Sequence, residues 1–93
     1  MILVIGRFRI DPAQREAFLT FAREMVDQER QTHGCIAFDI YEDVTTPNAF
    51  LMMEQWEDEE VLDAHTSSEE FERNETALNQ FIVGEPSWDE YQF

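Results

Sequence analysis

The residues of this chain that could act together in chemistry lie between Phe50 and His65, in the stretch FLMMEQWEDEEVLDAH. The first half is apolar and typical of a strand that ends at Glu54 and Trp56, and the second half turns after Asp58 into a short helix. That helix returns His65 to the end of the strand, so a carboxylate, an indole and an imidazole are expected to meet. The chain has two histidines, one cysteine and no lysine, so no other part of it offers a comparable group.

The residues before this stretch predict a strand and a long helix. Residues 2–10 predict a strand whose two faces are both partly apolar, Asp11 suits a helix N-cap, and Pro12 suits the first helical position. The helix carries one apolar stripe at i, i+3, i+4 and i+7 spacing. It is expected to end at Gly34, because glycine accepts the left-handed turn that often closes a helix.

The next part of the chain predicts a hairpin. Residues 35–44 and 49–57 alternate in polarity on either side of a Thr-Thr-Pro-Asn turn, which favours two antiparallel strands. In the first of these strands the alternation puts Ile36 on one face and Cys35 on the other.

The last part predicts a helix and a final strand. Ser67 followed by Glu70 resembles a capping box, and the apolar positions after it keep helical spacing until Gly84 and Pro86 stop the helix. The strand then runs over residues 88–93.

This order of elements predicts the fold class. Strand, helix, two strands, short helix, helix and strand form the split βαβ repeat of an α+β ferredoxin-like sandwich, βαββ(α)αβ, with a four-stranded antiparallel sheet and helices on one face. We expect residues 1–93 to form one such domain. The open sheet face would carry Leu3, Ile5, Leu51 and Met53, and so apolar a surface on a small domain predicts a homodimer that forms through that face.

The charge of the chain argues against several kinds of partner. Its 21 acidic and 6 basic residues give a formal net charge of -15, which repels phosphate backbones and anionic lipids, so neither nucleic acid nor membrane binding is expected. No stretch approaches the roughly 18 continuous apolar residues of a membrane span. Cys35 stands alone, which fits a reducing compartment and predicts a cytoplasmic protein.

The distribution of charge suggests a salt-rich environment. All six basic residues are arginine, and acidic residues crowd the turns and helix surfaces. Such self-repulsion is tolerable at high salt, because the screening length falls to about 3 Å at 1 M ionic strength. A halophilic origin is therefore one hypothesis, and an ordinary acidic protein is the alternative.

Several short motifs occur together in this chain: Gly34-Cys35 before a strand, the turn Thr46-Pro47-Asn48, the strand end from Glu54 to Asp58, and Ala64-His65 with Ser68 and Phe71. Together they resemble the antibiotic biosynthesis monooxygenase family, of the dimeric ferredoxin-like (dimeric α/β-barrel) superfamily. The resemblance implies a homodimer with a pocket between each sheet and its own helices, which binds a small aromatic substrate together with dioxygen. It further implies an oxidoreductase that oxidises quinols or anthrones with no metal, flavin or haem as cofactor.

The chain departs from two branches of that family. Gly6 stands where the haem-degrading branch carries an asparagine on its first strand, so haem chemistry is not expected. Met52 stands where the anthrone-oxidising branch carries an asparagine that positions the substrate oxygen.

The implied reaction assigns roles to particular residues. A deprotonated phenol or anthrone can itself pass an electron to dioxygen, so the protein need only bind the ring, take a proton and stabilise the anion. His65 would be the general base, Glu54 a base or the group that orients His65, and Trp56 a stacking surface. The alternation and helix spacing predict the substrate-binding residues Gly6, Phe8, Met52, Leu62 and Phe71.

Each role has a purely structural alternative. His65 could be a core histidine bonded to backbone, Glu54 the ion-pair partner of an arginine on the first strand, and Trp56 ordinary core. For the whole protein, the alternatives are an isomerase or other proton-transfer enzyme on the same fold, and a non-enzymatic module that binds a small ligand or serves in stress.

Overall fold

The computed structural model describes residues 1–93 as one sheet with three helices. The sheet order is β2-β3-β1-β4, and every neighbouring pair of strands is antiparallel. This arrangement confirms the predicted α+β ferredoxin-like fold. The strands are β1 (Ile2–Ile10), β2 (Cys35–Glu42), β3 (Ala49–Trp56) and β4 (Ile82–Gln92), and the helices are α1 (Arg15–Arg30), α2 (Glu59–Thr66) and α3 (Glu69–Phe81), with a short 3-10 turn at Pro12–Gln14 before α1.

Side-chain caps fix where the helical segments begin. The Asp11 carboxylate accepts a hydrogen bond from the backbone of Ala13 at 3.0 Å, and the Asp58 carboxylate accepts one from the backbone of Val61 at 2.8 Å. These oxygens satisfy amide groups that a helix start leaves without partners. Both caps agree with the sequence prediction.

The start and end of α3 differ from the prediction. Ser68, and not Ser67, is the N-cap, because its hydroxyl accepts from the backbone of Phe71 at 3.1 Å and also donates to the carbonyl of His65 at 2.7 Å. The helix ends at Phe81 instead of continuing to Gly84, and the extended backbone at Ile82 begins β4 directly.

One strand is irregular where the sequence predicts strict alternation. The pairing of β2 with β3 shifts between Cys35 and Ala37, so Cys35 lies opposite Trp56 and packs against the core. Ile36 is left exposed. The predicted faces of Cys35 and Ile36 are therefore wrong, because a bulge adds one residue that does not follow the period of two.

Aromatic rings fill one end of the space between sheet and helices. Phe18 of α1 is 0% exposed, and its ring centroid lies 4.8 Å from that of Phe50 and 5.9 Å from that of Phe8. The ring of Phe81 also contacts Phe18, at 5.6 Å. These contacts fill that end of the space between the sheet and the helices.

The opposite sheet face is not covered by helices. Leu3, Ile5, Leu51 and Met53 are partly buried there, and Arg7 on the same face lies within ion-pair distance of Asp89. None of the three helices is both long enough and apolar enough to cross a lipid bilayer.

Candidate active site

A cavity of about 430 Å³ lies between the sheet and the helices, at the end that the phenylalanine rings leave open. Val4, Met52 and Glu54 form part of its floor on the sheet, and residues of all three helices form its walls. A volume of this size suits a small molecule of two or three fused rings. The remaining lining residues are Met25, Glu29, Phe38, Leu62, His65, Thr66, Phe71, Asn74, Glu75, Leu78, Asn79, Trp88, Asp89 and Glu90.

Glu54 is a buried carboxyl group on the floor of this cavity. It lies on β3 facing the helices, is 7% exposed, and accepts a hydrogen bond from the indole nitrogen of Trp56 at 3.0 Å. Burial raises the pKa of Glu54 to about 7, the Trp56 hydrogen bond opposes that rise, and the nearby Glu29 charge adds to it. Glu54 forms no ion pair with an arginine of β1, because those arginines point to the other face.

His65 projects from the last turn of α2 into the same cavity and is 6% exposed. Its ring stacks on Trp56, with centroids 4.3 Å apart and planes 25° apart, and meets the edge of Phe71 at 5.2 Å. Its Nε2 lies 3.0 Å from Oε2 of Glu29. The imidazole is therefore held by two rings and a carboxylate, and burial lowers its pKa.

Glu29 and Asn74 are the site residues that the sequence interpretation missed. Glu29 lies in the last turn of α1, is 2% exposed, and accepts a hydrogen bond through Oε1 from the Asn74 amide at 2.9 Å. Burial raises the pKa of Glu29 to about 6; the bond from Asn74 opposes that rise and the charge of Glu70 adds to it. A signal existed, since Glu29 follows the buried Ala22 and Met25 at the helical spacing of the apolar stripe.

The structure brings five of the eight predicted site residues to the cavity wall and leaves three away from it. Trp56 is 0% exposed, lies beneath His65 and does not line the cavity. Gly6 is covered by the ring of Trp88, and a methyl group on Gly6 would overlap that ring. Phe8 belongs to the phenylalanine cluster. The five lining residues are Met52, Glu54, Leu62, His65 and Phe71.

The arrangement is suited to proton transfer. Burial raises the pKa of Glu29 to about 6 and that of Glu54 to about 7, so both carboxyl groups can gain or lose a proton near neutral pH. Burial lowers the pKa of His65, which favours the neutral imidazole. These three groups open onto a space with apolar walls, where charge interactions are stronger than in water. No group of three or more histidine, cysteine or acidic side chains is arranged to hold a metal ion.

The fold and the cavity define a class of small ferredoxin-like proteins with a cavity between one sheet and its helices. The sequence model of antibiotic biosynthesis monooxygenases matches residues 1–75. The chain belongs to the antibiotic biosynthesis monooxygenase family, as its sequence motifs predict.

Individual relatives agree with this assignment. The chain is 32% identical over 72 residues to the "Putative monooxygenase YcnE" of Bacillus subtilis (strain 168), which covers 77% of this chain and 76% of that protein. It is 34% identical over 64 residues to the uncharacterized protein sll1783 of Synechocystis sp., covering 69% of this chain but only 44% of that protein. A crystal structure of an antibiotic biosynthesis monooxygenase superposes with a TM-score of 0.89 at 29% identity, over 100% of this chain and 98% of the other.

Proposed function

We propose that this protein is a cofactor-independent monooxygenase that oxidises a quinol-like or anthrone-like aromatic molecule with dioxygen. The observation that carries the proposal is the opening of His65 and Glu54 onto one cavity of about 430 Å³ with largely apolar walls. Apolar walls favour binding of an aromatic ring, and the removal of a substrate proton requires a base such as His65 beside it.

His65 is the proton acceptor in this proposal. Burial lowers the pKa of the imidazole, so the ring is neutral at neutral pH and can take a proton from the substrate. The imidazolium that forms has the Glu29 carboxylate 3.0 Å away, which stabilises the new positive charge. Trp56 and Phe71 hold the ring by stacking and edge contact, so its orientation is fixed before the substrate arrives.

Glu54 stabilises the substrate anion. Because its pKa is raised to about 7, a substantial fraction of Glu54 is protonated at neutral pH and can donate a hydrogen bond to the anionic oxygen. The anion then passes one electron to dioxygen, and the two radicals combine to a peroxide at carbon. Loss of water from an anthrone peroxide leaves a quinone, so one oxygen atom enters the product and the other leaves as water.

We also propose that two copies assemble through the open sheet face. The partly buried apolar side chains of β1 and β3 on that face have no covering element within the chain, and a two-fold arrangement would let each copy cover the other. Each cavity lies on the helix side of its own sheet, so the assembly leaves both sites open.

The decisive experiment measures oxygen uptake with a panel of hydroquinones and anthrones. The parent protein should accelerate uptake above the uncatalysed rate, and His65→Ala should lower that acceleration by roughly 10²- to 10⁴-fold, the usual contribution of a positioned base. With ¹⁸O₂, one labelled atom should appear in the product and one in water.

Two controls separate this function from the alternatives. Circular dichroism must show that His65→Ala is folded, because loss of a buried ring could by itself disturb the core. If the parent consumes no oxygen but exchanges substrate hydrogen for solvent deuterium, the protein is a proton-transfer enzyme instead. If it does neither and still binds the aromatic molecule, it is a binding module.

A further inference from the structure

The cavity contains no permanent positive charge. His65 is the only lining residue that can become a cation, and Arg30, next to Glu29 in sequence, turns away to pair with Asp39 at 2.7 Å. A ligand carboxylate would therefore enter an apolar, acidic space with no arginine or lysine to pair with, which is costly. The acidic lining residues are Glu29, Glu54, Glu75, Asp89 and Glu90.

One carboxylate oxygen in this wall lacks a hydrogen-bond donor. Oε1 of Glu29 accepts from Asn74, but Oε2 is buried and no donor in the chain reaches it with acceptable geometry. Nε2 of His65 is 3.0 Å away, but no hydrogen bond of acceptable geometry joins the two atoms. Buried polar atoms in folded proteins almost always have a hydrogen-bond partner, so we expect a bound ligand to supply the donor to Oε2.

The position of this oxygen restricts what that partner can be. Glu29 lies in the last turn of α1, where the helix dipole is negative, so a hydrogen-bond donor is favoured there and an anion is opposed. A hydroxyl group that donates to Oε2 would lie beside Nε2 of His65, which the proposed function identifies as the proton acceptor. Burial raises the pKa of Glu29 only to about 6, so at pH 7.5 it is predominantly a carboxylate and able to accept.

We propose that Glu29 is the acceptor that positions a phenolic hydroxyl of the substrate against His65, and that the cavity selects uncharged hydroxylated aromatics over their carboxylated counterparts. The inference rests on the proposed function, since it assigns the substrate class of the same site. It adds a positioning residue and a charge preference that the oxygenase assignment does not contain.

The test is binding at pH 7.5 by calorimetry in the absence of oxygen, with three probes. They are naphthalene-1,4-diol, its 2-carboxylate, and 1,4-dimethoxynaphthalene, in which both hydroxyls are capped. The parent should bind the diol at least about tenfold more tightly than either of the other two probes. The dimethoxy probe cannot donate a hydrogen bond to the Glu29 carboxylate, and the 2-carboxylate buries a charge that has no partner.

Glu29→Gln is the informative variant, because the side chain keeps its size while an amide nitrogen can replace the accepting oxygen. It should lose the preference for the diol over the dimethoxy probe and bind the 2-carboxylate more tightly than the parent does. Glu72→Gln on α3 is the matched control: Glu72 is exposed and does not line the cavity, so the same loss of charge should leave both preferences intact.

The outcomes distinguish this inference from the proposed function. Equal affinity of the parent for the diol and the 2-carboxylate, or an effect of Glu29→Gln no larger than that of Glu72→Gln, would overturn the role of Glu29. If Glu29→Gln does not fold, the affinities of the parent for the three probes alone decide whether the cavity prefers the uncharged diol. Absence of oxygen uptake, with the binding preferences intact, would overturn the oxygenase reaction and leave the ligand class in place.

Discussion

Burial of Glu54 should make this protein less stable as the pH rises from acid to neutral. Its pKa is raised from 4.5 to about 7 in the folded state, so the folded protein binds the proton more tightly than the unfolded chain. The stabilising contribution of the protonated group is fully present below about pH 4.5 and is lost as the pH rises through about 7. Glu54→Gln removes this titration and can still accept the hydrogen bond from Trp56.

The size of the effect follows from the shift. A pKa raised from 4.5 to about 7 corresponds to roughly 3 kcal/mol of folding free energy between the two limits of pH. Glu54 is 7% exposed, so solvent screening removes little of this. Between pH 5 and pH 8, the stability of Glu54→Gln relative to the parent should increase by roughly 2–3 kcal/mol.

Urea denaturation followed by circular dichroism at pH 5 and pH 8 measures this difference. Glu29 titrates in both proteins, so its contribution largely cancels in the comparison. Glu72→Gln, which removes an exposed charge from α3, should show no comparable change between the two pH values. A stability difference between Glu54→Gln and the parent that stays constant from pH 5 to pH 8 would refute the reasoning.

Four other measurements test separate features. Gly6→Ala should push the Trp88 ring off the cavity wall and weaken binding of naphthalene-1,4-diol. The free energy of unfolding should fall by at most about 3 kcal/mol, because the Trp88 ring is 45% exposed and can move. Unchanged binding of the diol would contradict the contact between Gly6 and Trp88. Cys35, whose pKa burial raises to about 11, should react with iodoacetamide at pH 8 far more slowly in the folded than in the urea-unfolded chain, and equal rates would contradict this. Leu51→Glu should convert a dimer to a monomer in light scattering after gel filtration, and a monomeric parent would refute the assembly. If the acidic surface is an adaptation to salt, the melting temperature should rise between dilute buffer and 1 M salt, where the screening length is about 3 Å, and a flat response would remove that hypothesis.

The fold is predictable because its signals are local. The two-sided strand from Ile2 to Ile10 and the cap at Asp58 each depend on a few neighbouring residues, and the structure has both. Gly34 has the predicted positive φ, but α1 already ends at Arg30, so Gly34 does not close the helix as predicted. Two other predictions differ from the structure because they depend on contacts outside the local sequence pattern. The bulge at Cys35 depends on how β2 meets β3, and the choice of Ser68 over Ser67 depends on its second hydrogen bond to the carbonyl of His65.

The candidate site is only partly predictable, because the helices bring together residues that are far apart in sequence. His65 and Glu54 lie in one short stretch of sequence, so they can be identified from it. Glu29 and Asn74 are 45 positions apart and meet only when α1 and α3 pack over the sheet. The helical spacing of Glu29 after Ala22 and Met25 indicates that it faces the core, but only the packed structure shows the imidazole that it contacts.

The stacking of Trp56 on His65 gives this protein an intrinsic optical probe. An excited indole transfers an electron readily to an imidazolium in contact and poorly to a neutral imidazole, so emission from Trp56, 4.3 Å from His65, should dim when that ring gains a proton. Trp88 is half-exposed, so its emission should lie at longer wavelength and be separable from that of Trp56. Stopped-flow spectroscopy on the unlabelled protein could therefore follow charge at the imidazole in real time.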